Sequence, residues 1–399
     1  MLDFLLGRNE RAQKVLYFIT LFAVWFLFTI RYYYGPDIAT YVPLYENLHP
    51  WHWYLSHPDG YEYEHGFILF CAILKGLGLS YYWMTVAITT IYFAAIALLF
   101  RRVRLHRTLL LMTVVFLCYD LIFAQHRQCL SVAFFILMVL CMDEKKYFWA
   151  IVCAWLTIEM HKSGIFVVSL TWLFFLVHQQ KLSNRFFLVI FALLCLMLAL
   201  PVSAISTSVI SALPLPKSLI VSLNEHFALG RQFQARWIEY AAIVLLIEYY
   251  LQHQTEMGRG IEASVIMGLI VLTLSYHYFY FSGRIRSFFM PILFVYMFKI
   301  IEDAEEDPVF RESRIAIVKN VSIALFIAFF CYRAFYFEIG IKELKHQLHT
   351  PGGKTIYSPC TVFDLRNHSA KYLRSERLKI AECYWYYDFQ SAQTKYKVK

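Results

Sequence analysis

The stretch Tyr119–Gly164 contains two long apolar runs separated only by the charged turn Asp143–Lys146. The runs are read as two helices that cross a bilayer core and return. At roughly 1.5 Å rise per residue, about fifteen residues out and about fifteen back bring both free ends to one depth. Arg127 heads the first run and His161 ends the second, so a guanidinium and an imidazole share one rim. Charge at membrane depth is costly unless it faces a polar cavity, which marks the pair as candidate functional residues.

Composition agrees with that reading. With 59% apolar residues, 19% aromatic and only 16% charged, the chain has too little polar surface to coat a soluble globule. Its mean hydropathy is +0.51, and an all-α polytopic membrane protein is expected. The formal charge of +9 does not point to nucleic acid: apolar runs separate the basic residues, which read as topology signals, and no nucleic-acid-binding motif occurs. Of nine cysteines, Cys71, Cys118, Cys129, Cys141, Cys153, Cys195 and Cys331 lie in apolar runs as small hydrophobes, and no CxxC spacing suggests a zinc or redox site.

Charge and hydropathy together give a topology. Arg8, Arg11 and Lys14 precede the run Val15–Ile30, which ends without a small-residue cleavage site and is read as an uncleaved first span starting in the cytoplasm. From Arg31 to His65 the chain is polar and aromatic, and Pro36, Pro43, Pro50 and Pro58 are expected to break any helix, leaving an outer loop. Phe67–Leu79 is short for a span and carries Lys75, Gly76 and Gly78. If it crossed, the next span would deliver Arg101, Arg102, Arg104 and Arg107 to the outer face, so it is read as re-entrant or interfacial.

Further spans are expected near 82–100, 108–124, 127–142, 147–160, 165–178, 186–205, 237–252, 263–281, 285–301 and 316–336, about eleven crossings in all. The inner loops then hold sixteen Lys/Arg and the outer side before the tail nine, which favours this orientation. Residues 1–336 form the transmembrane domain, with outer loops at 31–81 and 206–237 and a short helix expected at Lys217–Phe227. The polar tail 337–399 is placed outside the cytoplasm, where Cys360 and Cys383 either pair or remain thiols.

The motifs narrow the chemistry. No phosphate-binding glycine loop occurs, nor an Asp-x-Asp pair to hold a metal for a nucleotide-sugar donor. The acidic cluster Glu302–Asp307 falls in a cytoplasmic loop. His49, His52, His57 and His65 share no fixed ligand spacing, so neither metal nor other cofactor is expected. Trp51, Trp53, Tyr61 and Tyr63 form either an interfacial belt or a surface for sugar rings. What remains is a set of outer-face arginines with one histidine, suited to a diphosphate. Arginine pairs bidentately with phosphate oxygens, and histidine can take a proton from a hydroxyl.

At this point the chain resembles the EpsG-like branch of the Wzy-type exopolysaccharide and O-antigen polymerases. Five pieces carry the resemblance in order: GPDIATY (Gly35–Tyr41), EHGF (Glu64–Phe67), HRQCLSVAF (from His126), MHKSGIF (from Met160) and GRIRSFF (from Gly283). They match the family's Gly-x-Asp…Tyr, Glu-Pro-Gly-Phe/Tyr, Ile-Arg-Gln-x-Leu-Ala, His-Lys-Ser-Ala-Leu and Arg-x-x-x-Tyr-Phe helix start, over about residues 15–300. His65 stands for the family's Pro, Gly164 for a small apolar residue, and Phe288–Phe289 for Tyr-Phe.

The resemblance implies a GT-C-like architecture in the bacterial cytoplasmic membrane, with the site facing the periplasm or cell exterior. It implies a membrane glycosyltransferase that joins polyprenyl-diphosphate-linked oligosaccharide repeat units, with a chain-length regulator and a flippase as candidate partners. The implied catalytic residues are His161, Arg127 and Arg284. The substrate-binding candidates are Asp37, Tyr41, Glu64, Gln128, Lys162, Arg286 and Arg231, of which Asp37 and Glu64 either bind sugar hydroxyls or cap and turn the loop. Two other classes stay open: a membrane O-acyltransferase of surface glycans, which also uses an intramembrane histidine, and a lipid-linked glycan transporter.

Overall fold

The computed structural model describes residues 9–32, 37–57, 63–123, 125–177, 258–274, 279–306, 362–366, 368–369 and 371–381. The described residues are helical, apart from turns and short links. The chain divides into two compact units: Met1–Phe134 with Trp155–Gly164 and Glu312–Lys399, and Phe135–Ala154 with Ile165–Arg311. The spans expected at 186–205, 237–252 and 316–336, the helix expected at Lys217–Phe227, and Arg231, Cys360 and Cys383 lie outside the described residues.

In the first unit, α1 (Glu10–Thr29) starts at Asn9, whose side chain accepts the Ala12 N–H at 3.1 Å, with Glu10 in the first turn. Its outward face is apolar: Phe18, Ile19 and Phe22 are each more than 60% exposed, the inside-out pattern of a helix in lipid. The opposite face buries Tyr17, Val24 and Phe28. It packs on α5 (Tyr81–Leu99), which continues through a 3-10 turn to Arg102, and on α6 (Arg107–Leu117). Among the described helices, Glu10–Thr29, Tyr81–Arg102 and His126–Asp143 are long and apolar enough to cross a membrane.

The expected span 108–124 is broken. Cys118, at φ −104° and ψ 20°, separates α6 from the short α7 (Tyr119–Phe123). Arg31, basic at the far end of α1, is buried at this break. It donates to the Ile122 carbonyl at 2.6 Å and to Thr89 Oγ1 at 3.2 Å, and its guanidinium lies against the Phe123 ring. A cation that satisfies helix-terminal carbonyls needs no cytoplasmic loop to explain it.

The segment read as a helix-free loop also differs from expectation. It holds α2 (Ile38–Asn47) and α3 (Trp51–Ser56). Pro43 sits inside α2, where a missing N–H removes one hydrogen bond, while the apolar face Ile38, Tyr41, Val42 and Tyr45 is buried. Pro50 stands just ahead of α3, where its fixed φ costs nothing.

The helix α4 (His65–Gly76) is twelve residues long, and Gly78 closes it at φ +76°. The Gly78 N–H bonds to the Lys75 carbonyl and the Leu79 N–H to the Leu74 carbonyl, a Schellman ending that requires the left-handed residue. Lys75 Nζ turns back to the Tyr45 carbonyl at 2.9 Å and so caps α2.

Near the tail, the 3-10 turn Val362–Arg366 and a helix at 371–381 belong to this same unit. The Val362 N–H meets the Ile30 carbonyl at 2.9 Å, Leu373 packs with Tyr32, and Arg374 pairs with Glu46.

The long helix α8 (His126–Asp143) passes from the first unit into the second, followed by the turn at Glu144–Lys146 and α9 (Tyr147–Met160), as the charged turn predicts. The second unit also contains most of α10 (Ser163–Val177), α11 (Arg259–Leu274) and α12 (Phe279–Glu306). Asp143 caps α11 by accepting the Gly260 N–H at 2.7 Å and the Ile261 N–H at 3.0 Å. Phe288 and Phe289 are fully buried edge-on against Phe135, with centroids 5.6 and 5.5 Å away. Where the resemblance leads one to expect Tyr-Phe, this chain therefore has a dry aromatic contact with no hydroxyl to satisfy.

Candidate functional site

The site lies wholly in the first unit, where the head of α8, the end of α9 and the start of α4 meet. Arg127, the second residue of α8, is the hub. Its Nη1 donates to Glu64 Oε2 at 2.6 Å and its Nε to Tyr41 Oη at 3.1 Å. Its guanidinium lies over the Tyr63 ring, 4.3 Å from the centroid. The Arg127 side chain is 19% exposed and that of Glu64 only 7%. A pair this deep is held by its full set of hydrogen bonds, and removing one partner typically costs about 3–5 kcal/mol.

Glu64 reaches both helix ends. Its Oε1 accepts the Lys162 backbone N–H at 2.8 Å, so one carboxylate ties the head of α8 to the turn after α9. Burial pushes the Glu64 carboxyl up, but the Arg127 charge and the Lys162 N–H outweigh it and hold the group below its ordinary value. The Tyr41 hydroxyl is raised, chiefly by burial, and stays a neutral phenol. Tyr41 also stacks on His126 at 5.1 Å, and His126 Nε2 bonds to the Tyr81 hydroxyl at 2.9 Å.

Close approach makes this geometry available. A Cβ on Gly66 would sit 2.4 Å from Glu159 Cβ, so only glycine lets the start of α4 lie against the end of α9. There the Gly66 N–H donates to Glu159 Oε2 at 3.0 Å. Ser131 Oγ on α8 donates to the Thr157 carbonyl of α9 at 2.6 Å. Gly164 plays the same part at the next turn, where a Cβ would meet the Thr157 carbonyl oxygen at 2.7 Å.

His161, buried, is the first residue past α9. Its Nδ1 accepts from the Ser163 backbone N–H at 3.2 Å and lies 2.7 Å from Ser163 Oγ. It serves the N-terminus of the following helix as an acceptor.

The predicted residues are thus partly assembled. Arg127, Tyr41, Glu64 and the Lys162 backbone are joined directly, and His161 is the neighbour of Lys162 in that turn. Gln128 is buried beside Arg127 on α8. Asp37 stands just before α2, its carbonyl accepting the Thr40 and Tyr41 N–H groups. Arg284 and Arg286 are half-buried on α12 in the second unit, inside the helix and not at its start.

Two of the Arg127 donors, Nε and Nη1, are engaged internally, because a guanidinium this deep needs a counterion. Tyr63, read as belt or sugar platform, offers one ring face to Arg127. Of the loop histidines, His49 and His57 lie against Trp53, and His65 Nδ1 bonds to the Tyr54 hydroxyl at 2.8 Å. Sequence reasoning passed over Glu159, although a carboxylate near the end of an otherwise apolar helix is itself a signal.

Chemically, the arrangement gathers a guanidinium and a backbone N–H ahead of a helix around one anion, here the Glu64 carboxylate, with the His161 imidazole next along the chain. The same donors suit a phosphate oxygen. The sequence matches the model of the EpsG family over residues 14–347. No curated protein and no solved structure matches it.

Proposed function

Since this chain belongs to the EpsG family and is a membrane protein with a role in exopolysaccharide polymerisation, we propose that it joins oligosaccharide repeat units carried on polyprenyl diphosphate. The observation that carries the reading is the Arg127–Glu64–Lys162 junction with His161 beside it: an anion-holding cluster at the rim of two apolar helices. A hydroxyl of one glycan attacks the anomeric carbon of another, and polyprenyl diphosphate leaves. Negative charge grows on the diphosphate as the bond breaks, so fixed cations aimed there stabilise the transition state more than the ground state. No metal is required for this role, which Arg127 serves in the proposed complex.

The junction faces the outside of the cytoplasmic membrane in this proposal. Support comes from the opposite end of the first unit, where Arg101, Arg102, Arg104 and Arg107 cluster between α5 and α6. Docking of Val362 and Arg374 onto Ile30 and Glu46 supports a tail on the same outer side. Sugars are held by the half-buried and exposed groups of the outer segments, among them Asp37 and the Lys162 side chain.

The test is reconstitution in vesicles with a lipid-linked repeat unit and no nucleotide sugar. Longer lipid-linked glycan is the expected product. Transbilayer movement or acylation without lengthening would overturn the proposal in favour of a transporter or an acyltransferase.

A further inference from the structure

We propose that His161 works as a hydrogen-bond donor through Nε2–H toward the departing diphosphate, and not as the base that deprotonates the acceptor hydroxyl. This deepens the polymerase reading and rests on it. The argument begins at Nδ1. A backbone N–H can only donate, and the Ser163 N–H is directed at Nδ1 from 3.2 Å. The Ser163 hydroxyl lies 2.7 Å from the same atom and can rotate to donate to it. Nδ1 therefore carries no proton, and a neutral imidazole then holds its proton on Nε2.

The backbone fixes this choice. The first N–H groups of a helix have no acceptor within the helix. At the start of α10 two consecutive amides find one outside it: Lys162 N–H takes Glu64 Oε1, and Ser163 N–H takes His161 Nδ1. To act as a base at Nε2, the ring would have to carry its proton on Nδ1, setting one donor against another and leaving the half-buried Ser163 N–H without its acceptor. Losing such a bond costs about 1–3 kcal/mol. The ring already holds the form that donates.

The proton balance closes without a histidine base. The acceptor oxygen forms its bond to the anomeric carbon, and the bond from that carbon to the diphosphate oxygen breaks with its electron pair going to that oxygen. His161 Nε2–H and Arg127 meet the new charge. The hydroxyl proton passes through water and ends on the released polyprenyl diphosphate, and His161 keeps its own.

Glutamine places an N–H donor near the position of Nε2, whereas asparagine can replace only the Nδ1 acceptor. In vesicles with the lipid-linked repeat unit, H161Q is expected to keep its rate within about tenfold of wild type, while H161N and H161A fall by about 10²–10³, the loss typical of one transition-state donor. H161Q as inactive as H161A, with unchanged thermal unfolding, would overturn the donor role.

A second measurement does not depend on turnover. Nitrogen-15 spectra of the full chain labelled in histidine, taken as the difference between wild type and H161N to isolate one of 14 histidines, should show protonated Nε2 and bare Nδ1 near neutral pH. A protonated Nδ1 overturns the proposal. If wild type lengthens no glycan while the spectrum shows the expected tautomer, the polymerase reading fails and the donor assignment of the ring stands.

Discussion

Replacing Gly66 by alanine tests whether the junction depends on the contact of α4 with α9. The added Cβ would lie 2.4 Å from Glu159 Cβ and 3.0 Å from the Glu159 carbonyl oxygen. Carbon atoms pack at about 3.5–4 Å, so α4 must retreat by about 1 Å, and neither obstacle is the free end of a side chain. Overpacking of this kind costs about 1–3 kcal/mol. The functional cost is larger, because the same retreat pulls Glu64, two residues earlier, away from the Lys162 N–H and Arg127. A misplacement of about 1 Å at reacting groups costs on the order of 100-fold in rate.

Glycan extension should therefore fall by about 100-fold in G66A, with a modest loss of melting temperature. Gly78→Ala is the matched control. At φ +76° it strains the backbone by about 1–2 kcal/mol, yet a Cβ there meets nothing within 4 Å. It should lower stability by a similar amount and leave the rate nearly unchanged. Equal activities in G66A and wild type would refute the reasoning, as would equal losses in G66A and G78A.

Three further outcomes are expected. Arg127→Lys should lose nearly as much extension activity as Arg127→Ala, at least tenfold, because an ammonium cannot serve Glu64, Tyr41 and the Tyr63 face together; a near wild-type rate in the lysine variant would show that only charge matters. A carboxyl held below its ordinary value contributes stability that is present above that value, about 4.3 for Glu, and is lost as pH falls through the lowered one; the melting temperature of wild type relative to E64Q should accordingly drop below about pH 4.3, and parallel curves would exclude this coupling. A single accessible cysteine at exposed Lys371, with Cys360 and Cys383 replaced by serine, should react with a membrane-impermeant thiol reagent in intact spheroplasts; reaction only after the membrane is opened would place the tail inside.

The hairpin was readable in the sequence because helical rise and a four-residue charged turn determine it with local information alone. Arg127 and His161 followed from that arithmetic. Glu64 was visible as a residue but not as the counterion of Arg127, since the two are 63 positions apart and nothing local pairs them. The contact of Tyr63 with Arg127 was hidden for the same reason. The prolines misled in α2 and α3, because the burial of Tyr41, Tyr45 and Tyr54 outweighs one missing backbone bond. Arg31 and Lys75 looked like violations of charge bias, yet each is spent on carbonyls at a helix end. Gly66 was read as part of a motif, and its reason is steric: the nearest obstacle is 93 positions away.

The carboxylate that joins the two helix ends also sets an order of events while the protein is being made. Glu64 leaves the ribosome 98 residues before the Lys162 amide it will meet. At about 5–20 residues per second, the interval is roughly 5–20 s. Throughout it, a carboxylate destined for a nearly dry position has neither Lys162 nor, for most of the interval, Arg127. It must wait in water. The segment from α2 to the start of α4 can therefore settle against the bilayer only after the hairpin that follows it has been inserted, so that this N-terminal part of the chain completes its assembly after a part translated later.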